Sequence, residues 1–175
     1  MNLPTFAAIS DEWFYLRLPR GVSLEAHEAE PGHDDRVETA RVLRLFREHL
    51  NDTTALFGLR DLPLTIEGLQ HLDPCLTPAF FGELLGGSDP DDPNNLFKLT
   101  LSELAVYLGD VVADQLGGVW RLARMPNYHE SVVVVENYEY CVWNPVMRRA
   151  SSDQAHSSLV ASYETFASAV RARRQ

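Results

Sequence analysis

Cysteine is nearly absent from this chain: its 175 residues include only Cys75 and Cys141, 66 positions apart. Two residues so spaced make neither a disulfide framework nor a CxxC metal pair, which excludes a stapled secreted mini-domain and a zinc ribbon. Both thiols are expected to be reduced, buried and inert. Long hydrophobic runs are missing too. No stretch approaches the roughly 20 apolar residues that cross a bilayer, and the start, MNLPTFAAISDEWFYLRLPR, lacks a basic segment followed by an apolar run and a cleavage site. A cytoplasmic protein with no membrane partner is the expectation. Positive charge is also scarce, 15 Lys and Arg against 25 Asp and Glu, for a net charge of −10. That balance opposes nucleic acid as a partner, because binding phosphate needs cationic side chains to displace counterions.

What is present describes an ordinary globular chain. Hydrophobic residues at 45 % and charged residues at 23 % fit a single domain spanning residues 1–175 with a sizeable core. The acid is concentrated early: residues 1–100 carry 17 acidic and 8 basic side chains, residues 101–175 carry 8 and 7. A solubilising surface or a face matched to a basic protein would both produce this asymmetry.

Along the chain, EWFYLRL at 12–18 reads as a strand ending before Pro19 and Gly21. Asp34 or Asp35 opens a helix over 35–50, with Val42, Leu43, Phe46 and Leu50 on its apolar face and Glu38 completing a capping-box pattern. Thr65 starts a short helix that Pro74 stops, and Thr77–Pro78 starts another, closed by Gly86 and Gly87. GGSDPDDPNN at 86–95 reads as a loop and a possible internal hinge. The strongest signal is a helix over 99–118, with Thr100 and Glu103 as its capping box, Leu104, Leu108, Val111 and Val112 as its apolar face, and Gly117–Gly118 as its stop. VWRLAR at 119–124, SVVVVE at 131–136 and YEYCVW at 138–143 then predict a three-stranded antiparallel meander. Ser152 or Asp153 opens a terminal helix through Leu159, Tyr163, Phe166 and Val170. Helices and strands segregated in this way predict an α+β fold, an antiparallel sheet of the meander plus the N-terminal strand, covered by helices.

TIEGLQHLD, YLGDVVADQLGGVW and the strand pair leading to NPVMRR carry a resemblance. Over residues 64–150 the chain resembles a broad group of uncharacterised bacterial proteins with a Tyr-Leu-Gly-Glu/Asp helix and a Leu-Gly-Gly-x-Trp exit into a strand. The resemblance implies a small α+β domain, sometimes found in gene neighbourhoods devoted to conflict or regulation, and brings no catalytic residue with it. Read physically, Gly109 inside a good helix costs about 1 kcal/mol against Ala, so it predicts close approach by a neighbour. Trp120, on the following strand, should pack back on that helix.

Candidate chemistry is sparse. Cys141, His156 and Asp153 are the residue types of a thiol catalyst, but carry no recognised spacing. His71 with Asp73, or His27 with His33, have suitable metal-ligand types without HExxH or HxH spacing. Glu136 and Glu139 are a possible acid/base pair. The double glycine is neither a P-loop nor GxGxxG, so no nucleotide site is indicated. No catalytic residue, metal ligand or cofactor is therefore assigned. Tyr128, Tyr138, Tyr140, Trp143 and Arg148 are types enriched at interface hot spots, and they are the candidate binding residues. The expectation is a non-enzymatic protein-binding protein, immunity-like or chaperone-like, whose partner is a basic protein. The alternatives are a small hydrolase or transferase built from dispersed residues, and a regulatory subunit of a homo-oligomer.

Overall fold

A computed structural model describes residues 3–14, 35–89, 92, 95–125, 127–153 and 157–173. Among them the chain forms seven α-helices and a three-stranded antiparallel sheet, the α+β class that its segregated patterns predict. Helix α1, Phe6–Ala8, is opened by Thr5, whose hydroxyl accepts from Ala8 N at 3.3 Å, and runs into a π-helical turn at Ile9–Phe14. The predicted N-terminal strand is therefore not found at residues 12–14, and residues 15–18 lie outside the described residues. Aromatic richness suggested a strand, but Ile9 and Phe14 bury themselves in the core from helical turns.

Helix α2 is Asp35–Ala55 and α3 is Ile66–Leu72, with Thr65 accepting from Gly68 N at its start. A 3₁₀ turn at Asp73–Cys75 includes Pro74 and leads to α4, Pro78–Gly86, capped by Thr77. Helix α5, Leu96–Leu116, is the centre of the molecule: Leu104, Leu108, Val111 and Val112 are all fully buried, and α2, α4, α6 and α7 pack around it with the sheet. Its start differs from the predicted capping box. Asn95 Oδ1 accepts from Lys98 N at 2.7 Å, so the helix begins a turn earlier and Thr100 and Glu103 lie in its interior. At its other end Gly117 takes the left-handed conformation (φ 70°) that stops the helix.

The sheet runs β1 Val119–Arg121, β2 Val132–Val135, β3 Tyr138–Tyr140 in sequential order, with Trp120 opposite Val133 and Val133 opposite Tyr140. The meander is thus present, but its third strand stops at Tyr140. Trp143–Arg149 is helix α6, where the alternating pattern predicted a strand. Pro145 is its third residue, a position whose N–H has no intrahelical partner, so a proline there costs nothing. The change of direction carries Trp143 into the core, 1 % exposed, instead of onto the outer face beside Glu139 and Cys141. Helix α7, Leu159–Ala172, starts at Ser158, whose hydroxyl accepts from Ala161 N. Asp73 locks this helix in place: Oδ1 accepts from Leu159 N at 3.1 Å and Oδ2 accepts from the Ser158 hydroxyl at 2.6 Å. One hydrophobic cluster runs from Ile9 to Val170 through all of these elements. Among the described residues no helix is long and apolar enough to cross a membrane.

Candidate functional site

Helices α2 and α5 pack against each other, and residues of α2 and of the start of α5 border a hollow. It is a cavity of about 590 Å³, walled by Phe46, Leu99, Met125 and Tyr128. The side chains of α2 reach it because Val42, Phe46, His49 and Thr53 recur at spacings of three and four, one face of a helix. The same rule places Leu99 and Glu103 together on α5.

Glu103 is the unusual member. It is 7 % exposed, and its Oε2 accepts a short hydrogen bond from the Thr53 hydroxyl, 50 residues away in sequence. No hydrogen bond to Oε1 is present among the described residues. Burial raises the Glu103 carboxyl above its ordinary range; the Thr53 hydroxyl and the His49 imidazole oppose this, and the charge of Asp52 adds to it. His49 Nδ1 stands 3.9 Å from Asp52 Oδ2, at the same end of the cavity. One cation also lines the cavity. Lys98, the chain's single lysine, holds its ammonium 5.9 Å from the centre of the Phe14 ring, and burial lowers its pKa. His129, its ring tilted against that of Phe14 at 5.6 Å, is driven down to about 4 by burial and then by the Lys98 charge.

The mouth of the cavity carries two leucines beside the exposed His49 and Asp52. Leu45 and Leu96 line it at 38 % and 64 % exposure, large values for leucine. Leu96 also borders a second groove, where Leu56, 71 % exposed, lies beside Phe57, Phe80 and Leu84. The two hollows together make an apolar strip across α2, α4 and the start of α5.

Of the five candidate binding residues Tyr128 borders the α2–α5 cavity and the other four do not, and the five do not share one surface with each other. Tyr128 and Trp143 are core residues whose rings meet at 6.0 Å, Tyr128 showing one edge to the cavity. Tyr140 is buried, and its hydroxyl lies 2.7 Å from Ser162 Oγ. It shares with the exposed Arg148 a shallow groove of about 610 Å³ between β3, α6 and α7. The Arg148 guanidinium stands 5.6 Å from the Phe6 ring. Tyr138 is half-buried beneath the Arg173 guanidinium, at 5.3 Å.

Cys141 lines the same groove and is exposed, not buried, because the strand ends just before it; burial of part of the thiol and then the Glu139 charge raise its pKa. Asp153 is engaged with the N-terminus, accepting from Phe6 N at 3.0 Å, and His156 lies outside the described residues. His27 and His33 also lie outside them. His71 is exposed, whereas Asp73 is committed to Ser158 and Leu159. Glu139 pairs with Arg121 at 2.6 Å, while Glu136 occupies the β2–β3 turn with a positive φ of 55°. No group of three or more His, Cys, Asp or Glu side chains among the described residues is placed to hold a metal ion. Compared with known proteins, the chain matches no family model, no curated protein and no solved structure at a significant level.

Proposed function

We propose that this chain is a non-catalytic binding protein, immunity-like or chaperone-like, that captures a basic protein partner in the bacterial cytoplasm. The observation that carries the reading is the apolar strip: Leu45, Leu56 and Leu96 stand exposed at the lips of two neighbouring hollows. Exposed apolar side chains gathered in one patch mark interaction sites, whereas scattered ones need no explanation. Full burial of a leucine is worth about 1.5–3 kcal/mol, and a partner would gain the larger share of that at Leu56 and Leu96 and the smaller at Leu45. Net charge of −10 would steer a basic partner towards the strip, where Glu48 and Asp52 remain exposed. The contact energy is assigned to these leucines rather than to Trp143, which has no exposed surface to offer.

The test begins with the partner recovered from the native cell on immobilised protein. Its kinetics on wild type and on the Leu45→Lys/Leu96→Lys double variant are then compared by surface plasmon resonance. Dissociation should accelerate by at least ~100-fold in the variant, a loss of about 3 kcal/mol, with the circular dichroism spectrum unchanged. Raising salt should slow association to wild type, since screening shortens to about 8 Å at 0.15 M. Unchanged dissociation in the double variant would refute the reading, as would a partner whose on-rate ignores salt.

A second reading, a small hydrolase or transferase, is favoured by one observation: Glu103 is a buried carboxyl with a raised pKa inside a cavity, the arrangement of a general acid. Turnover of a substrate library that disappears in Glu103→Gln would establish it.

A further inference from the structure

We infer that the cavity between α2 and α5 takes an ammonium or guanidinium group on an apolar stem, with Glu103 as its counter-ion. On the reading proposed above, this group is a lysine or arginine side chain of the basic partner.

The walls and the floor make different demands on an occupant. Phe46, Leu99 and Met125 are apolar over the length of the cavity. At the α2–α5 seam, Glu103 has one oxygen held by Thr53 and the other with no donor among the described residues. A wholly apolar guest would remove the water that reaches that oxygen and leave a buried carboxylate short of a hydrogen bond, a costly state. An anion would meet both Glu103 and Asp52 at the same end. A cation supplies the missing donor in a charge-assisted hydrogen bond, the strong kind. Its stem of three or four methylenes then covers the apolar walls, as lysine and arginine stems do elsewhere.

The chain's own cations do not fill this role. Lys98 is turned to Phe14, its ammonium 5.9 Å from the ring centre, and His49, whose imidazole pulls the Glu103 carboxyl down, is turned to Asp52, with Nδ1 3.9 Å from Oδ2. Arg47, one residue from the cavity-facing Phe46, is turned to Asp110 in a two-pronged ion pair at 2.6 and 2.8 Å. Thr53 fixes the carboxyl while leaving Oε1 to the cavity, so the site is already oriented.

The test uses the full chain and three small probes that share a four-carbon stem: n-butylammonium, n-butylguanidinium and n-butanol. Each is titrated while the backbone amide signals of Leu99, Glu103 and Met125 are followed by NMR. The cations should bind about 10- to 100-fold more tightly than the alcohol, the value of one hydrogen bond to a charged group. Glu103→Gln should abolish that preference. Thr53→Val, which keeps the carboxylate but frees its orientation, should reduce it by less. Equal binding of all three probes, a preference that survives Glu103→Gln, or no shift of the cavity signals would each overturn the inference. A competition arm separates the sources. If the recovered partner displaces n-butylguanidinium from the cavity, a side chain is the natural guest; if it binds without displacing the probe, a free amine is. Partner binding that is lost in Leu45→Lys/Leu96→Lys but intact in Glu103→Gln would leave the proposed function standing and overturn the assignment of a partner side chain as the guest.

Discussion

Gly109 sits where α5 passes beneath the indole of Trp120, and the spacing there admits no side chain. A Cβ built on Gly109 would lie 2.2 Å from Trp120 Cζ2 and 2.5 Å from Cη2. The ring is not free to retreat, because Trp120 Nε1 donates to Asp110 Oδ1 at 2.8 Å and the Arg47 guanidinium, itself held by Asp110, stacks 5.8 Å from the ring centre. One glycine therefore lets α2, α5 and β1 share a single polar clasp. Replacing Gly109 with Ala gains about 1 kcal/mol of helix propensity. Against this stands overpacking, typically about 1–3 kcal/mol and at the upper end or beyond when a backbone-anchored atom meets a fixed ring. Gly109→Ala should lose about 2 kcal/mol in urea denaturation. A stability equal to or above wild type would show that the indole moves easily. This contact was legible in the sequence, since a glycine in a strong helix followed by an aromatic strand exit has few other uses.

At the scale of elements, patterns with a long period read well and boundaries read poorly. The apolar repeats of α2 and α5 run over several turns; Leu43 and Phe46 of α2 are buried while Val42 and Leu50 are half-buried, and α5 is buried on nearly every side from Thr100 to Gly109, its predicted apolar face included. The start of α5 was misread because Thr100 and Glu103 match a capping box, while Asn95 ends a run of loop-forming residues and looks like part of the loop. The two readings differ in what they make of Glu103: a surface cap in one, a buried cavity carboxyl in the other. Asn95→Ala should cost about 1 kcal/mol and speed hydrogen exchange at the first turn, Lys98 above all, because the lost acceptor is the side chain that holds that amide. Were the helix to begin at Thr100, the same substitution would leave both stability and exchange untouched. Helix α6 escaped notice for a different reason. Strand β3 is followed by Cys141, Val142 and Trp143, three residues with good strand character, and only the tertiary demand that Trp143 join Trp120 and Tyr128 in the core turns them into a helical entry.

For the whole molecule, the cavity was not legible, because its polar members come from Thr53 on α2 and Glu103 on α5 and are joined only by folding. The one signal available was a glutamate spaced four residues after Leu99, a spacing that puts it on the same side of the helix as that leucine. The imidazole of His129, packed beside Phe14, makes a prediction about global stability. His129 has its folded pKa lowered from 6.5 to about 4, by burial and then by Lys98. A base with a depressed pKa stays neutral in the fold after the unfolded chain has taken a proton. Between pH 6.5 and about 4 the unfolded state thus binds more protons, and stability falls as the pH falls. The loss accumulates to on the order of 2 to 3 kcal/mol by pH 4 and goes no further below it. Glu103 acts in the opposite sense: its folded pKa is raised, so lowering the pH towards 4.5 relieves the penalty of holding its charge buried. The wild-type curve therefore combines two contrary slopes, and comparison with His129→Gln isolates one of them. Urea denaturation at half-unit intervals should show wild type losing stability from pH 6.5 to 4 relative to His129→Gln. Parallel curves would mean that His129 titrates normally, and a direct check is available in the His129 ring-proton shift, which should have its midpoint near pH 4 and move upward in Lys98→Met.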